Sequence, residues 1–347
     1  MTTPQPPVYH LRPVDEETYT AAAHDVALPI EQDPIWDRFD AVVEGRKPWL
    51  RLLLSEDEQT VAVIALTLVE GPGPLRHLWA KNGPVWLVEP TSRREAALRQ
   101  RLAAAARRTD PRIAFIRLHA QHEAADLQPV MTGITYDRTV VVDLQRSEEE
   151  IFAGMKQQGR RAIRKALKDE TLSAGDETEW AVSHFDELYE IFLETGQREG
   201  FGPHPAQRYL AMLTTLGPAH ARVFVTRREG RALAWALVLL NDGAALYSVG
   251  ASNSEARGAY AADLLHWRII ETLAREGADS YDLAGAGSER FPGLGGLTQF
   301  KTKFERHITD VAPAWDRPIR PVVYRGLVEA RRVKHGLSQL LGKLRSG

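Results

Sequence analysis

Residues 222–250, RVFVTRREGRALAWALVLLNDGAALYSVG, decide the fold. Glu229-Gly230 and Asn241-Asp242-Gly243 interrupt the apolar pattern, and both carry residue types favoured in the tight turns of β-hairpins. The runs between these turns are short and rich in apolar residues, as strands are. We therefore predict an antiparallel meander of three strands, at Arg222–Arg227, Arg231–Leu240 and Ala244–Gly250.

The segments around this meander extend it into an α/β unit. A helix is predicted at Tyr260–Glu276 and a strand at Ser280–Ala284, and two helices precede the meander, at Asp186–Glu199 and Pro205–Leu216. The first half of the chain has the same order about 170 residues earlier. Its elements are strands at Trp49–Leu54 and Thr60–Leu68, weaker strands at Leu75–Ala80 and Pro84–Val88, a helix at Thr91–Arg108 and a strand at Arg112–Leu118. The chain therefore predicts two similar α/β (α+β) units.

Length and composition limit the class of protein. At roughly 100–200 residues per domain, 347 residues suggest two domains or one large domain. The proportions of 44% hydrophobic and 26% charged residues are typical of a globular protein. A net charge of −2 excludes a partner bound through overall basicity, but it allows a local basic patch. The absence of cysteine excludes disulfide scaffolds, cysteine-ligated metals and thiol nucleophiles.

The sequence shows no targeting or membrane-spanning segment. The first ten residues lack the charged and apolar regions of a secretory signal. The apolar stretch Thr60–Val69 is about half the roughly 20 residues that cross a bilayer as a helix. We therefore expect a cytoplasmic protein.

A basic helix is predicted between the two units. Ser147 with Glu150 forms a capping box, and the helix that starts there runs to about Lys168. Its second half carries six cations and no acid, in two neighbouring stripes: Lys156, Arg160 and Arg164, and Arg161, Lys165 and Lys168. Such a face suits the phosphates of a nucleic acid. The alternative is a solvated face, or one neutralised by acids elsewhere in the fold.

A glycine-rich segment, Gly285–Lys303, follows a predicted strand. Glycines there allow a close approach of the backbone to a ligand, but taken alone the segment is better explained as a flexible loop. The spacing fits neither a Walker loop nor a dinucleotide fingerprint. The histidines have no metal-ligand spacing and there is no Gly-x-Ser-x-Gly elbow. Four acids remain as candidate bases with a structural role as the alternative: Asp143, Asp263, Asp282 and Glu289.

An ordered set of motifs spans about Glu31 to Asp310. In chain order the motifs are Gln32–Trp36, Trp79–Val85, Arg160–Lys168, Gln197–Phe201, Ala244–Ala251, Tyr260–Trp267, Tyr281–Gly285 and Phe300-Lys301-Thr302-Lys303-Phe304. Together they resemble the Fem family (FemABX) of peptidoglycan-bridge peptidyltransferases and keep that family's order. The last motif is the most specific, because it matches the Phe-Lys-x-x-Phe signature of the family.

The resemblance implies two acetyltransferase-like (GNAT-type) units in tandem, without the coiled-coil arm of some members. It places residues 1–146 plus 313–347 in the first unit, which the C-terminal segment completes, and residues 147–312 in the second. It also implies an aminoacyltransferase that moves an amino acid from aminoacyl-tRNA to an amine. The acceptor would be a muropeptide stem, a lipid-linked precursor or a small amine in antibiotic biosynthesis, with at most peripheral membrane contact. No cofactor and no metal are expected.

The motif positions also imply roles for individual residues. Lys301 is the expected catalytic cation at the tRNA end, and Phe300 would stack on the terminal adenine. The alternative for Lys301 is a salt-bridged lysine on a strand, and the alternative for Phe300 is packing in the core. Arg198 would contact a phosphate or carboxylate of the acceptor, with a helix-end ion pair as the alternative. The other expected substrate-binding residues are Lys81, Tyr247 and Tyr260, and the expected tRNA-binding residues are Lys156, Arg160, Arg161, Arg164, Lys165 and Lys303.

Two departures from the family leave the acceptor open. Asp40 stands where some members have a lysine that binds a nucleotide-linked acceptor, and Glu305 stands where many members have glycine after the signature. Two other functions also remain open. A GNAT-type N-acyltransferase would use an acyl-CoA, but the segment Gly250–Ala259 lacks the Arg/Gln-x-x-Gly-x-Gly/Ala spacing expected for that donor. A non-catalytic protein would bind tRNA or a cell-wall precursor without turnover.

Overall fold

A computed structural model describes residues 6–131 and 135–345, and the side-chain surroundings of residues up to Val333. Part of the N-terminal segment considered above, residues 1–5, lies outside the described residues. The strands, in chain order, are β1 (Tyr9–Val14), β2 (Arg46–Glu56), β3 (Gln59–Glu70), β4 (Arg76–Trp79), β5 (Val85–Trp86), β6 (Ile113–His119), β7 (Gln128–Pro129), β8 (Arg138–Asp143), β9 (Leu172–Asp176), β10 (Ala221–Arg228), β11 (Arg231–Asn241), β12 (Ala244–Ser252), β13 (Ser280–Gly285), β14 (Thr309–Asp310) and β15 (Ala314–Pro318).

The helices complete this list. They are α1 (Glu16–Ala22), α2 (Trp36–Val42), α3 (Ser92–Thr109), α4 (Glu148–Gly154), α5 (Gln157–Leu167), α6 (Thr178–Glu199), α7 (Ala206–Leu216), α8 (Ala256–Ala259), α9 (Ala261–Arg275), α10 (Gly295–Lys301) and α11 (Pro321–Arg345). Within the described ranges, no helix is both long enough and apolar enough to cross a membrane.

The chain divides into two units, and the boundaries differ from the predicted ones. Unit 1 holds residues 1–24, 44–134 and 313–347, and unit 2 holds residues 25–43 and 135–312. The segment before β2 belongs to unit 2 because Trp36 and Phe39 of α2 pack into the core of that unit. The boundary expected at residue 146 lies earlier because β8 pairs with β13 of the unit 2 sheet.

The predicted meander forms the middle of the unit 2 sheet. The strand order is β14-β8-β13-β12-β11-β10-β9, and β10, β11 and β12 pair antiparallel. Strand β11 is apolar from Ala232 to Leu240 because both of its faces are covered. Its side chains alternate between a core with α5 and α9, which includes Ile163 and Ile269, and a core with α6 and α7, which includes Phe185 and Leu213.

Strands β12 and β13 run parallel and then separate. Their pairing is limited to Ala244–Leu246 against Ser280–Asp282. On its other edge, β12 bulges against β11, because Val249 lies opposite Leu237 while Tyr247 lies opposite Val238. The bulge and the early end of the pairing open a gap in the sheet after Leu246. This gap positions the candidate site.

Unit 1 repeats the arrangement with its own sheet, in the order β1-β2-β3-β4-β6-β15-β7, with β5 paired to β3. Strands β4 and β6 are parallel, and α3 connects them as α9 connects β12 and β13. The C-terminal segment adds β15 beside β6. A buried ion pair fixes it there: Arg117 Nε lies 2.7 Å from Asp316 Oδ1, and Tyr324 of α11 donates a hydrogen bond to the same carboxylate.

The basic segment is two helices rather than the single helix predicted. Helix α4 has the predicted capping box at Ser147 and Glu150, but it ends at Gly154. Met155 and Lys156 then have extended backbone, with ψ of 157° and 146°. The buried Met155 carbonyl accepts hydrogen bonds from the side chains of Arg160 and Arg306. These contacts satisfy the backbone where the helix is broken, so α5 starts anew at Gln157.

Replacing Gly250 by alanine should destabilise unit 2. A Cβ at this position of β12 would lie 2.7 Å from the carbonyl oxygen of Trp235 on β11 and would also meet the Tyr247 hydroxyl. Because a backbone oxygen cannot move away alone, we expect a loss of about 1–3 kcal/mol in the free energy of unfolding, measured by urea denaturation. Gly258→Ala is the matched control, since a Cβ there meets open space. Equal stability of the two variants would contradict this packing.

Candidate active site

Lys301 is the central group of the candidate site. It is the last residue of α10 and only 5% exposed, and its Nζ donates a hydrogen bond of 2.7 Å to the carbonyl oxygen of Gly285. Burial lowers the pKa of Lys301 to about 8, while the nearby Asp282 carboxylate acts in the opposite direction. The amine is therefore cationic at neutral pH and close to its titration point. The alternative of a salt-bridged strand lysine is wrong, because Lys301 lies on a helix and is held by a carbonyl.

The end of β13 is bent where it meets Lys301. Ala284 has a positive φ of 62°, a conformation that costs a non-glycine residue roughly 1–2 kcal/mol. The Asp282 carboxylate stabilises the bend by accepting hydrogen bonds from the Ala284 N–H, at 2.7 Å, and from the Thr139 hydroxyl. Burial raises the pKa of Asp282. The bend interrupts the register between β13 and β8 before Gly285, whose carbonyl accepts from Lys301.

A buried aromatic cluster surrounds His266 of α9. The His266 ring packs against Tyr247, Phe300 and Phe304, with centroid distances of 4.8, 5.4 and 5.3 Å. Its Nδ1 lies 3.0 Å from the Tyr281 hydroxyl. Burial, together with the charges of Lys301 and Lys303, lowers the pKa of His266 to about 3. His266 is therefore neutral at physiological pH, and burial likewise raises the pKa of Tyr247 to about 12.

Lys303 is the second cation of the cluster. Its Nζ lies 2.6 Å from Oδ1 of Asp263, at the start of α9, and 5.0 Å from the centroid of the Phe300 ring. Burial raises the pKa of Asp263, and the ion pair with Lys303 opposes that effect. An Asp263 carboxylate already held by a lysine is a poor general base, so the structural alternative for this acid agrees with its contacts.

The basic helix α5 carries an open depression of about 370 Å³. It is lined by Gln157 and five cations: Arg160, Arg161, Arg164, Lys165 and Lys168. In the part of the chain that the structure describes, none of these cations forms an ion pair with a carboxylate. Of the two alternatives to nucleic-acid binding, neutralisation by acids elsewhere in the fold is therefore wrong.

The N-terminal end of α5 packs directly on the Phe300–Phe304 turn. The Lys156 side chain donates a hydrogen bond of 2.7 Å to Thr302 Oγ1, and its backbone N–H donates to the carbonyl of Lys303. Gly159 faces the same carbonyl, and a Cβ there would lie 2.8 Å from it. The basic helix and the helix that carries Lys301 are thus in contact.

Two cations of α5 lie over aromatic rings. Lys165 Nζ is 5.2 Å from the centroid of Tyr260 and donates to its hydroxyl. The Arg164 guanidinium is 5.1 Å from the ring of Phe152. Tyr260, predicted to bind substrate, therefore lies beside a residue predicted to bind tRNA, in the positive-φ turn between α8 and α9.

Two further predicted site residues, Arg198 and Lys81, lie on other elements. Arg198, at the end of α6, pairs with Glu199 at 3.0 Å and donates to the Ser252 carbonyl. The helix-end ion pair given as its alternative is therefore present. Lys81 follows β4 in unit 1. Asp40, at the position of the family lysine, is fully buried in α2.

Sequence reasoning assigned no role to His266, Gly285 or Thr302, although all three contact predicted residues. The one available signal was the histidine within the apolar run Leu264–Trp267, which is typical of a buried and hydrogen-bonded ring. Within the described residues, no group of three or more His, Asp or Glu side chains is arranged to hold a metal ion.

Comparisons with known proteins agree with this architecture. Residues 153–301 match the family described as an acetyltransferase (GNAT) domain. The whole chain resembles FemX, with 14% identity and a TM-score of 0.71 over 92% of this chain and 100% of FemX. It also resembles the C-terminal domain of a candidate lysylphosphatidylglycerol synthetase from Agrobacterium fabrum, with 16% identity and a TM-score of 0.55 over 90% and 97% of the two chains.

A third solved structure, L-PGS from Bacillus licheniformis, matches with 13% identity and a TM-score of 0.50 over 91% of this chain and 97% of that one. No curated protein sequence matches the chain. The predicted α/β fold of two GNAT-like units and the resemblance to Fem proteins at the level of fold are confirmed. The comparisons support an acyltransferase of GNAT-like fold, whereas the donor and acceptor must be argued from the site.

The pKa of Lys301 can be measured directly. We expect its side chain to titrate near pH 8, followed by NMR of lysine labelled at Cε and assigned with Lys301→Met. Asp282→Asn should lower this pKa further, because a nearby negative charge favours the ammonium form. Asp143→Asn, a change at an exposed carboxylate of unit 2, is the control. A Lys301 pKa near the ordinary 10.5 would contradict the buried environment.

Proposed function

We propose that the protein is an aminoacyltransferase that moves an amino acid from aminoacyl-tRNA to an amine. The observation that carries this proposal is the contact between two features of unit 2. One is the buried Lys301, and the other is the acid-free basic face of α5, joined to it through Lys156 and Thr302. A cation that can take part in the reaction, Lys301, is thus in contact, through one turn, with a surface that can bind a polyanion.

The chemistry needs little from the protein beyond charge and position. The ester of an aminoacyl-tRNA is already activated, so transfer requires neither ATP nor an enzyme nucleophile. Attack by a neutral amine gives a tetrahedral intermediate with an oxyanion, which then expels the ribose hydroxyl. A preorganised cation stabilises such an anion by several kcal/mol in a water-poor site. Lys301 is our candidate for this cation.

The aromatic cluster suits the terminal nucleotide of the donor. Phe300 is half-buried, with its edge against His266 and with Lys303 over its ring. Stacking of a base on an aromatic ring contributes about 1–3 kcal/mol and does not depend on sequence. We assign no general base. Oriented reactants already gain much of the rate, and the acceptor or a water can carry the proton.

The acceptor is proposed as a class only. In the Fem resemblance it is the stem peptide of a peptidoglycan precursor. Asp40 is acidic and buried, so it cannot supply the exposed cation that the family lysine provides. This difference favours a lipid-linked precursor or a small amine over the usual soluble precursor as the acceptor. The structural likeness to a protein named for lysylphosphatidylglycerol synthesis makes a lipid acceptor a necessary arm of the assay.

A second candidate is an N-acyltransferase that uses an acyl-CoA. The match of residues 153–301 to a GNAT acetyltransferase family favours it. Against it, the segment after β12 lacks the glycine spacing expected for the CoA pyrophosphate, and Tyr260 occupies the turn between α8 and α9. An assay that supplies aminoacyl-tRNA and acyl-CoA separately distinguishes the two donors.

Lys301→Met should lower the rate of amino-acid transfer from tRNA at least about tenfold, because it removes the proposed oxyanion-stabilising cation. The measurement is transfer of labelled amino acid to acceptor, with the thermal unfolding midpoint recorded in parallel. Lys47→Met, at an exposed lysine of β2, is the matched control. An unchanged rate in a folded Lys301→Met protein would remove Lys301 from the mechanism.

Reversing Arg160, Arg161 and Arg164 to glutamate should weaken tRNA binding and flatten its dependence on salt. Fewer phosphate contacts release fewer counterions, so the slope of log affinity against log salt falls. The control reverses three exposed arginines of unit 1 with the same change in net charge: Arg12, Arg93 and Arg108. If the two triple variants have the same tRNA affinity and the same salt dependence, the basic face of α5 is only a solvated surface.

A further inference from the structure

A separate open cavity lies on unit 2, beside the glycine-rich segment after β13. Its volume is about 390 Å³. It is bounded by the loop between β13 and α10, by one side of α10, by Lys156 before α5, and by the segment Thr302–Ile308 after α10. The polar side chains that line it are Lys156, Ser288, Thr298, Gln299, Thr302 and Arg306.

The charge of this cavity is positive and uncompensated. None of its lining residues is acidic. Lys156 is held by the Thr302 hydroxyl at 2.7 Å, and Arg306 by the Met155 carbonyl at 3.0 Å. Neither cation forms an ion pair in the described part of the chain. Neutral acceptors thus fix both positions without cancelling their charge, which is the arrangement that an anionic ligand completes.

The glycines of the loop form part of the wall. A Cβ at Gly287 would lie 2.9 Å from the backbone nitrogen of Gly295, so the two ends of the loop touch through bare backbone. The Gly287 N–H donates to Thr298 Oγ1 at 2.6 Å, which in turn donates to the Leu294 carbonyl. The loop is therefore closed on itself by hydrogen bonds, rather than open to many conformations.

The cavity adjoins the candidate catalytic lysine. Thr302, whose hydroxyl lines it, directly follows Lys301. Gly287, also in the wall, is two residues beyond Gly285, whose carbonyl holds the Lys301 amine. A ligand in the cavity would therefore lie against the same turn that presents Lys301.

We propose that this cavity is a phosphate-binding subsite in which Lys156 and Arg306 hold one phosphate group. This assignment rests on the proposed function: the phosphate group is a phosphodiester at the single-stranded 3′ end of the donor tRNA. The pyrophosphate of coenzyme A or of a nucleotide-linked acceptor offers the same chemistry. The subsite is distinct from the depression on α5, because Arg306 and the glycine loop line it and the cations of α5 do not.

The test is equilibrium binding by fluorescence anisotropy with the full chain. Two labelled probes are an RNA hairpin that carries a tRNA acceptor stem with its single-stranded 3′ end, and the same hairpin without its last two nucleotides. Binding of coenzyme A and of UDP is measured separately by isothermal titration calorimetry. The variants are Arg306→Gln, Lys156→Gln and Arg306→Lys, and Arg275→Gln, in an exposed pair with Glu148, is the matched control. Thermal unfolding verifies that each variant is folded.

We expect Arg306→Gln and Lys156→Gln each to weaken binding of the complete hairpin about tenfold. Binding of the shortened hairpin should not change, Arg306→Lys should retain most of the affinity, and Arg275→Gln should match the wild type. Loss of coenzyme A or UDP binding in the glutamine variants, with hairpin binding intact, supports a phosphate subsite and overturns its RNA source. Unchanged affinities for every probe overturn the subsite. Failure of the wild type to bind either hairpin counts against the proposed function, while the direct titrations with coenzyme A and UDP still decide the subsite.

Discussion

The candidate site depends on one buried contact, the hydrogen bond from the Lys301 ammonium to the carbonyl of Gly285. A lysine in the interior is costly because burial disfavours its charge. The fold meets part of that cost with the Gly285 carbonyl, which follows the bend of β13 at Ala284 and accepts from the Lys301 amine. The Asp282 carboxylate holds this bend through two hydrogen bonds.

A second set of contacts connects this lysine to the surface. The break at Met155 ends α4 and allows α5 to start against the Phe300–Phe304 turn. Lys156 and Gly159 make that junction close, the first through Thr302 and the second because only a hydrogen fits against the Lys303 carbonyl. The cations of α5 and the buried Lys301 therefore lie on two helices that pack against each other. This geometry suits a long anionic ligand whose reactive end must reach a protected cation.

Much of the fold could be predicted from the sequence because its signals are local. The apolar run of β11 and its flanking turns predict the middle strand of an antiparallel meander, and the recurrence of that pattern predicts two units. The places where prediction fails depend on distant residues. The break at Met155 is stabilised by Arg306, far along the chain, and the segment with α2 joins unit 2 because Trp36 and Phe39 enter its core.

The candidate site was predicted only through resemblance. Composition and spacing indicate a basic helix and a glycine loop, but no periodicity brings Lys301 to Gly285 or His266 to Tyr281. Both pairs join elements that meet only when the sheet forms. Arg306 also could not be found from sequence, because its relation to Lys156 exists only through the fold.

The most direct test of the central claim is to supply both donors to the purified protein. tRNA charged with a mixture of labelled amino acids would be incubated with stem-peptide precursors, a lipid-linked precursor and simple amines, beside an RNase-treated sample and a sample given labelled acetyl-CoA. Our account predicts label on an acceptor that disappears when the RNA is destroyed. Transfer from acetyl-CoA alone, or no binding of tRNA at all, would contradict it.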